Sequence, residues 1–117
     1  MLPDHVLELL QRGEPVAALV PDFREGFRTW IGIHPFSIHP LTQMSAQVTP
    51  GEKTHFRVRC FHLQNEFDLD EYDFHGDECE YRFNHTTDSI DEVEQLLRSV
   101  LADLSILDES RKCDYPF

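Results

Sequence analysis

The stretch His55-Phe56-Arg57-Val58-Arg59-Cys60 puts apolar Phe56, Val58 and Cys60 at every second position, against His55, Arg57 and Arg59. A period of two belongs to a strand with one face on a core and one toward water. Upstream, Met44, Ala46 and Val48 alternate with Gln43, Ser45 and Gln47, and Pro50-Gly51-Glu52 supplies turn chemistry between the two runs. Residues 43–60 are therefore expected to form a β-hairpin. Downstream, Phe67 and Leu69 alternate with Asp68 and Asp70 until the phase slips at Glu71, after which Tyr72 and Phe74 take the apolar face. One extra residue marks a bulge or a break between strands. After His75-Gly76-Asp77-Glu78 the alternation resumes as Cys79, Tyr81 and Phe83 against Glu80, Arg82 and Asn84, which predicts a second hairpin.

The flanks add helices. Ser89 followed by Glu92 is a capping box, Asp91, Glu92 and Glu94 load the positive end of the dipole, and Ile90, Val93, Leu96, Leu97, Val100, Leu101 and Leu104 recur at three and four. That predicts a helix over 90–104. A short amphipathic helix is expected over 4–12, N-capped by Asp4 and ended by Gly13. The apolar piece 16–20, between Pro15 and Pro21, is too short to assign. Phe27, Thr29, Ile31 and Ile33 alternate as a strand, and His34-Pro35 and His39-Pro40 are expected to turn it into an edge or loop.

Strands joined by short turns and followed by a helix with one apolar stripe imply an α+β fold. The expected fold is an antiparallel sheet of about five strands, with the C-terminal amphipathic helix and the short N-terminal helix packed on one face. Phe56, Val58, Cys60, Tyr81 and Phe83 should face Val93, Leu97, Val100, Leu101 and Leu104. The 117 residues suit a single domain over 1–117, able to bury a core without cofactor, metal or disulfide. Three cysteines, Cys60, Cys79 and Cys113, and an opening with no basic or long apolar segment suggest a reduced, cytoplasmic protein.

The balance of 22 acids against 10 Lys or Arg gives a net charge of −12, unevenly spread. Residues 1–50 hold five acids and three bases, 51–63 one acid and three bases, and 64–117 sixteen acids and four bases. Glu66, Asp68, Asp70, Glu71, Asp73, Asp77, Glu78 and Glu80 fall within residues 66–80 with no Lys or Arg among them. Such a field repels phosphate, which disfavours direct nucleic-acid binding and anionic membranes and favours a basic protein partner. An acidic strand face can simply be solvated. Eight uninterrupted acids are nevertheless a self-repelling arrangement that a basic partner would relieve, with Asp68, Asp70, Glu71, Tyr72, Asp73, Asp77, Glu78 and Glu80 as the contact surface. Tyr72 is the candidate aromatic anchor, and Asp91 and Glu94 would extend the patch if the helix start lay beside the second hairpin.

No pattern names a reaction. The seven histidines make no recognised ligand spacing. The best metal set, Cys60 and His62 with His75 and Cys79, needs the strands to be neighbours; core cysteines with surface histidines are the commoner outcome. Asp68-Leu69-Asp70-Glu71-Tyr72-Asp73 fails as a calcium loop, because Asp73 stands where glycine is needed and Cys79 where glutamate is. There is no nucleophile elbow or phosphate loop.

The length, the acidity, the strands over 54–63 and 79–84, and the helix opened by Asp88-Ser89-Ile90-Asp91-Glu92-Val93 resemble the small immunity proteins that bacteria make against their own polymorphic or contact-dependent toxins. The resemblance implies a single toxin partner, such as a nuclease domain, and no enzymatic activity. Two other readings stay open. One is a nucleic-acid mimic or anti-defence inhibitor of a DNA- or RNA-binding protein; the other is a small enzyme or metal-binding protein built on the Cys/His set.

Overall fold

The computed structural model describes residues 1–21, 23–38, 45–46, 53–69 and 78–117. Their order is α1 (Asp4–Gln11), β1 (Val16–Val20), β2 (Phe27–Ile38), β3 (Ser45–Ala46), β4 (His55–Gln64), β5 (Glu80–Thr87), α2 (Ile90–Arg98) and β6 (Asp108–Glu109), with 3-10 turns at Leu104–Ile106 and Ser110–Cys113. The strands form one antiparallel sheet in the order β5-β4-β2-β1-β6, and β3 pairs with β2 off that path. The expected α+β architecture, a sheet with both helices on one face, is what the chain adopts.

Helix α1 buries Val6, Leu9 and Leu10. Its N-cap is Pro3, so Asp4 lies inside the first turn and acts through its charge on the dipole. The other end closes as expected at Gly13, whose φ of 80° lets its amide reach Leu10 O and that of Glu14 reach Leu9 O, each at 3.0 Å.

The apolar alternation around Cys60 holds. Val16, Ala18, Ile31, Ile33, Phe56, Val58 and Cys60 form a core with Val6, Leu9 and Leu10 of α1, Val93 and Leu97 of α2, and Leu101, Leu104 and Leu107 beyond it. A fully buried side chain of this size contributes about 1.5–3 kcal/mol. The opposite face carries a second cluster, Trp30, Phe61 and Leu63, with Phe67, Leu69, Cys79, Cys113 and Tyr115 against it.

Several local expectations are corrected. Residues 16–20 are a strand, β1, between β2 and β6. β2 runs on through His34-Pro35: Pro35 stands opposite Phe56 of β4, and the pairing with β1 stops at Ile33, before the proline is reached. The hairpin over 43–60 does not form: β3 pairs with β2 at Ser37↔Ala46, since both edges of β4 are taken by β2 and β5. Its turn at Pro50-Gly51-Glu52 lies outside the described residues. Phe67 and Leu69 are in turn and irregular backbone rather than a strand, and β5 pairs with β4 instead of with them. The phase slip at Asp70-Glu71 also lies outside the described residues, but a register shift does occur in β5. Phe83 pairs with Cys60 and Tyr81 with Phe61, so Arg82 is the extra residue and the two aromatics face opposite sides. Phe83 joins the core as expected, whereas Tyr81 stands 6.0 Å from Phe61 on the far face.

α2 opens as predicted, with the Glu92 amide donating to Ser89 Oγ at 3.3 Å, but it ends at Arg98 instead of Leu104. No helix among the described residues is long and apolar enough to cross a membrane.

Candidate functional site

The pairing of His62 with Glu80 fixes where the acid-rich stretch joins β5. Residues 65–79 connect two neighbouring antiparallel strands, so both ends of the connection leave the sheet together. Glu66, Asp68 and Glu80 are exposed and Glu78 is half-buried, while Asp70, Glu71, Tyr72, Asp73 and Asp77 lie outside the described residues. Arg28 ties the start of this connection down, donating to the Phe67 carbonyl and, at 3.4 Å, to that of Gln64. Beside it opens a cleft of about 800 Å³, rimmed by Glu66, Asp68 and Asp114 and by the cations Arg28 and Arg111.

At the other root of the connection Arg24 donates to Glu80 at 2.7 Å, and that hydrogen bond holds the carboxyl below its ordinary range. Behind the pair, His62 shares a 2.7 Å hydrogen bond with Thr29 and stacks on Phe23, ring centres 5.8 Å apart. Burial, helped by Arg24 and Arg82, holds the His62 imidazole below its usual value against the pull of Glu80.

Asp91 and Glu94 lie away from Glu80, the described end of this patch on β5. α2 follows Thr87, the far end of β5 from Glu80, and there Glu92 accepts from Thr87 at 2.7 Å and pairs with His85 at 2.5 Å. Seven strand steps separate the two ends, about 23 Å.

The Cys/His set is not brought together. Cys60 and His62 share the core face, as their spacing required, but Cys79 packs on the opposite face near Trp30 and Phe61, and His75 lies outside the described residues. Burial pushes the Cys60 thiol up to about 11, which makes it a core side chain, not a thiolate donor. Among the described residues no group of three or more His, Cys, Asp or Glu could hold a metal ion.

One concentration of charge went unforeseen. The register of β2 with β4 sets Arg28 opposite Leu63, Gly32 opposite Arg59 and His34 opposite Arg57, all on the face away from the helices. The C-terminal segment crosses that face: Trp30 Nε1 donates to the Cys113 carbonyl at 2.8 Å, and Tyr115 lies over Gly32, where a Cβ would overlap its ring. Burial pushes the Tyr115 phenol, which is hydrogen-bonded to Arg59, up to about 12. Phe117 meets Phe61 edge-on with ring centres 5.0 Å apart, and the Arg59 guanidinium sits 4.3 Å from the Phe117 ring centre. The sequence did carry a signal, since Arg57 and Arg59 at i and i+2 must share a strand face. Reading His34-Pro35 as the end of a strand hid the third member. Compared with protein-family models, with curated proteins and with solved structures, the chain matches none, so its function has to be argued from these residues.

Proposed function

We propose that the protein is a non-enzymatic acidic binding protein, a bacterial cytoplasmic immunity protein that neutralises a basic toxin domain by direct contact. The observation that carries the reading is the position of the acidic stretch. Seven of its eight carboxylates belong in sequence to the connection between β4 and β5 and the eighth, Glu80, opens β5; Glu66, Asp68 and Glu80 are exposed, the first two beside a cleft. Charge gathered at one end steers a cationic partner onto that end, which speeds association more than it deepens affinity. The contact surface would be Asp68, Asp70, Glu71, Tyr72, Asp73, Asp77, Glu78 and Glu80, with Tyr72 as the anchor that slows dissociation.

The gene next to this one supplies the candidate toxin, and binding kinetics with its inactivated product at two salt concentrations test the reading. Reversing Asp70 and Asp73 to Lys should slow association about tenfold at low salt and flatten its salt dependence, while Tyr72→Ala should speed dissociation. An acidic partner, or an unchanged association rate for the double Lys variant, would sink the proposal.

A further inference from the structure

We propose that the pocket formed by His34, Phe36, Arg57, Arg59 and Phe117, on the sheet face opposite the helices, binds the phosphate group of a small phosphate-bearing molecule. The pocket has a volume of about 270 Å³ and is walled by three separate parts of the chain: β2, β4 and the C-terminal segment. β4 supplies Arg57 and Arg59 from successive positions on one face, about 7 Å apart along the strand. β2 supplies His34 directly opposite Arg57.

Cations set side by side and across a strand pair repel, and a fold gains nothing from that arrangement by itself. The chain has 22 acidic side chains, yet among the described residues no carboxylate lies within ion-pairing distance of Arg57 or Arg59. Aromatic rings hold the two guanidinium groups in place instead, Phe36 at 6.0 Å from Arg57 and Phe117 at 4.3 Å from Arg59. A ring steadies a guanidinium without neutralising it, so the positive charge stays available to a ligand. The Nε of Arg59 is shut off from solvent and has no acceptor among the described residues, a donor that an oxyanion would satisfy. Burial and the two arginines also hold the His34 imidazole below its usual value, which is the field that an anion would reverse.

Three donor groups around one space match the three oxygens and near-double charge of a phosphate better than a single carboxylate. The remaining volume admits a small substituent. The overall charge of −12 opposes a long polyanion, which makes a small molecule the fitting ligand and a nucleic acid the poor one.

The test is an NMR titration of the whole chain with inorganic phosphate, following the His34 ring and the arginine side chains, with sodium chloride at equal ionic strength as reference. Phosphate should give saturable shifts confined to the pocket and raise the apparent His34 pKa. Arg57→Gln should weaken binding at least tenfold and Arg57→Lys less, with amide spectra outside the pocket unchanged to show that both variants fold. Arg12→Gln, which removes a cation outside the pocket, should bind phosphate as the unaltered chain does. Shifts no larger than those with chloride, or full binding by Arg57→Gln, would overturn the proposal. So would acetate binding as tightly as phosphate, or a short oligothymidylate binding more tightly through the same arginines.

Discussion

His62 is the clearest case of a residue whose surroundings set its chemistry. It sits on the core face with Thr29 as its hydrogen-bond partner, and burial together with Arg24 keeps its pKa below the ordinary 6.5. The unfolded chain therefore takes up the proton first. The stability that neutral His62 contributes is complete above about pH 6.5, falls as the pH drops toward the folded value, and is level below it. His34 shifts in the same direction and adds to the same window, whereas Glu80, Asp88, Glu92, Asp103 and Asp108, all lowered, lose their contributions only as the pH falls below the ordinary carboxylate range. The denaturation midpoint should fall between pH 7.5 and 5.5, and His62→Gln, which no longer titrates, should fall less. An equal drop in both proteins would remove His62 from the account. Gly32 is the complementary case, a position where nothing larger fits because the Tyr115 ring occupies the space. Gly32→Ala should cost about 1–3 kcal/mol on chemical denaturation, since the C-terminal segment must shift to admit one methyl. A loss under about half a kcal/mol would mean that this segment is not held against the sheet. Periodicity gave no hint of Tyr115, because the residues from Cys113 onward follow neither period.

At the scale of elements, the alternation in β2 and β4 was legible because each strand has one face on the helices, and the two faces differ in what they touch. Pairing was not legible. Alternation says which way a side chain points but not which strand lies next door, so β3 was given the wrong neighbour and the pairing of β5 with β4 was missed. α2 shows a second limit. Its apolar repeat continues past Arg98, yet the Ser99 hydroxyl bonds the Leu96 carbonyl at 2.6 Å, and Asp103 caps a new 3-10 turn by accepting from the Ser105 amide at 3.0 Å. Leu101, Leu104 and Leu107 still reach the core, by an irregular path that no helical spacing describes. The helix itself packs as expected, with Val93 and Leu97 fully buried. Leu97→Ala should therefore cost about 2–5 kcal/mol, and Val100→Ala, only half-buried and beyond the helix, clearly less. Equal losses in chemical denaturation would mean that the stripe past Arg98 packs as tightly as the helix.

For the whole molecule, the charge is spread unevenly along the sequence and the topology divides it further. The acid-rich connection joins β4 to β5 with Glu66, Asp68 and Glu80 exposed, while Arg57, Arg59 and His34 lie on the face away from the helices, a second and positive surface in a chain of net charge −12. The second surface was hidden in the sequence because it needs β2 beside β4, a long-range pairing. The same division predicts how stability responds to salt. Ion pairs among the described residues, such as Arg24–Glu80, Lys53–Asp88 and Lys112–Asp108, join side chains that are each at least 39% exposed, and pairs of that kind contribute about 0–1 kcal/mol. Against them stands the mutual repulsion of the surplus carboxylates, which acts over a longer range and is screened as the Debye length falls to about 10 Å at 0.1 M. Screening therefore removes more repulsion than attraction. The melting temperature should rise when sodium chloride is raised from 10 to 200 mM at pH 7.5 in a buffer without phosphate, and the rise should be smaller in the Asp70/Asp73 double Lys variant, which has two fewer negative and two more positive charges. A melting temperature that falls with salt would show that local pairs outweigh the net charge, and the acidic end would then be a balanced surface with little field to offer a cationic partner.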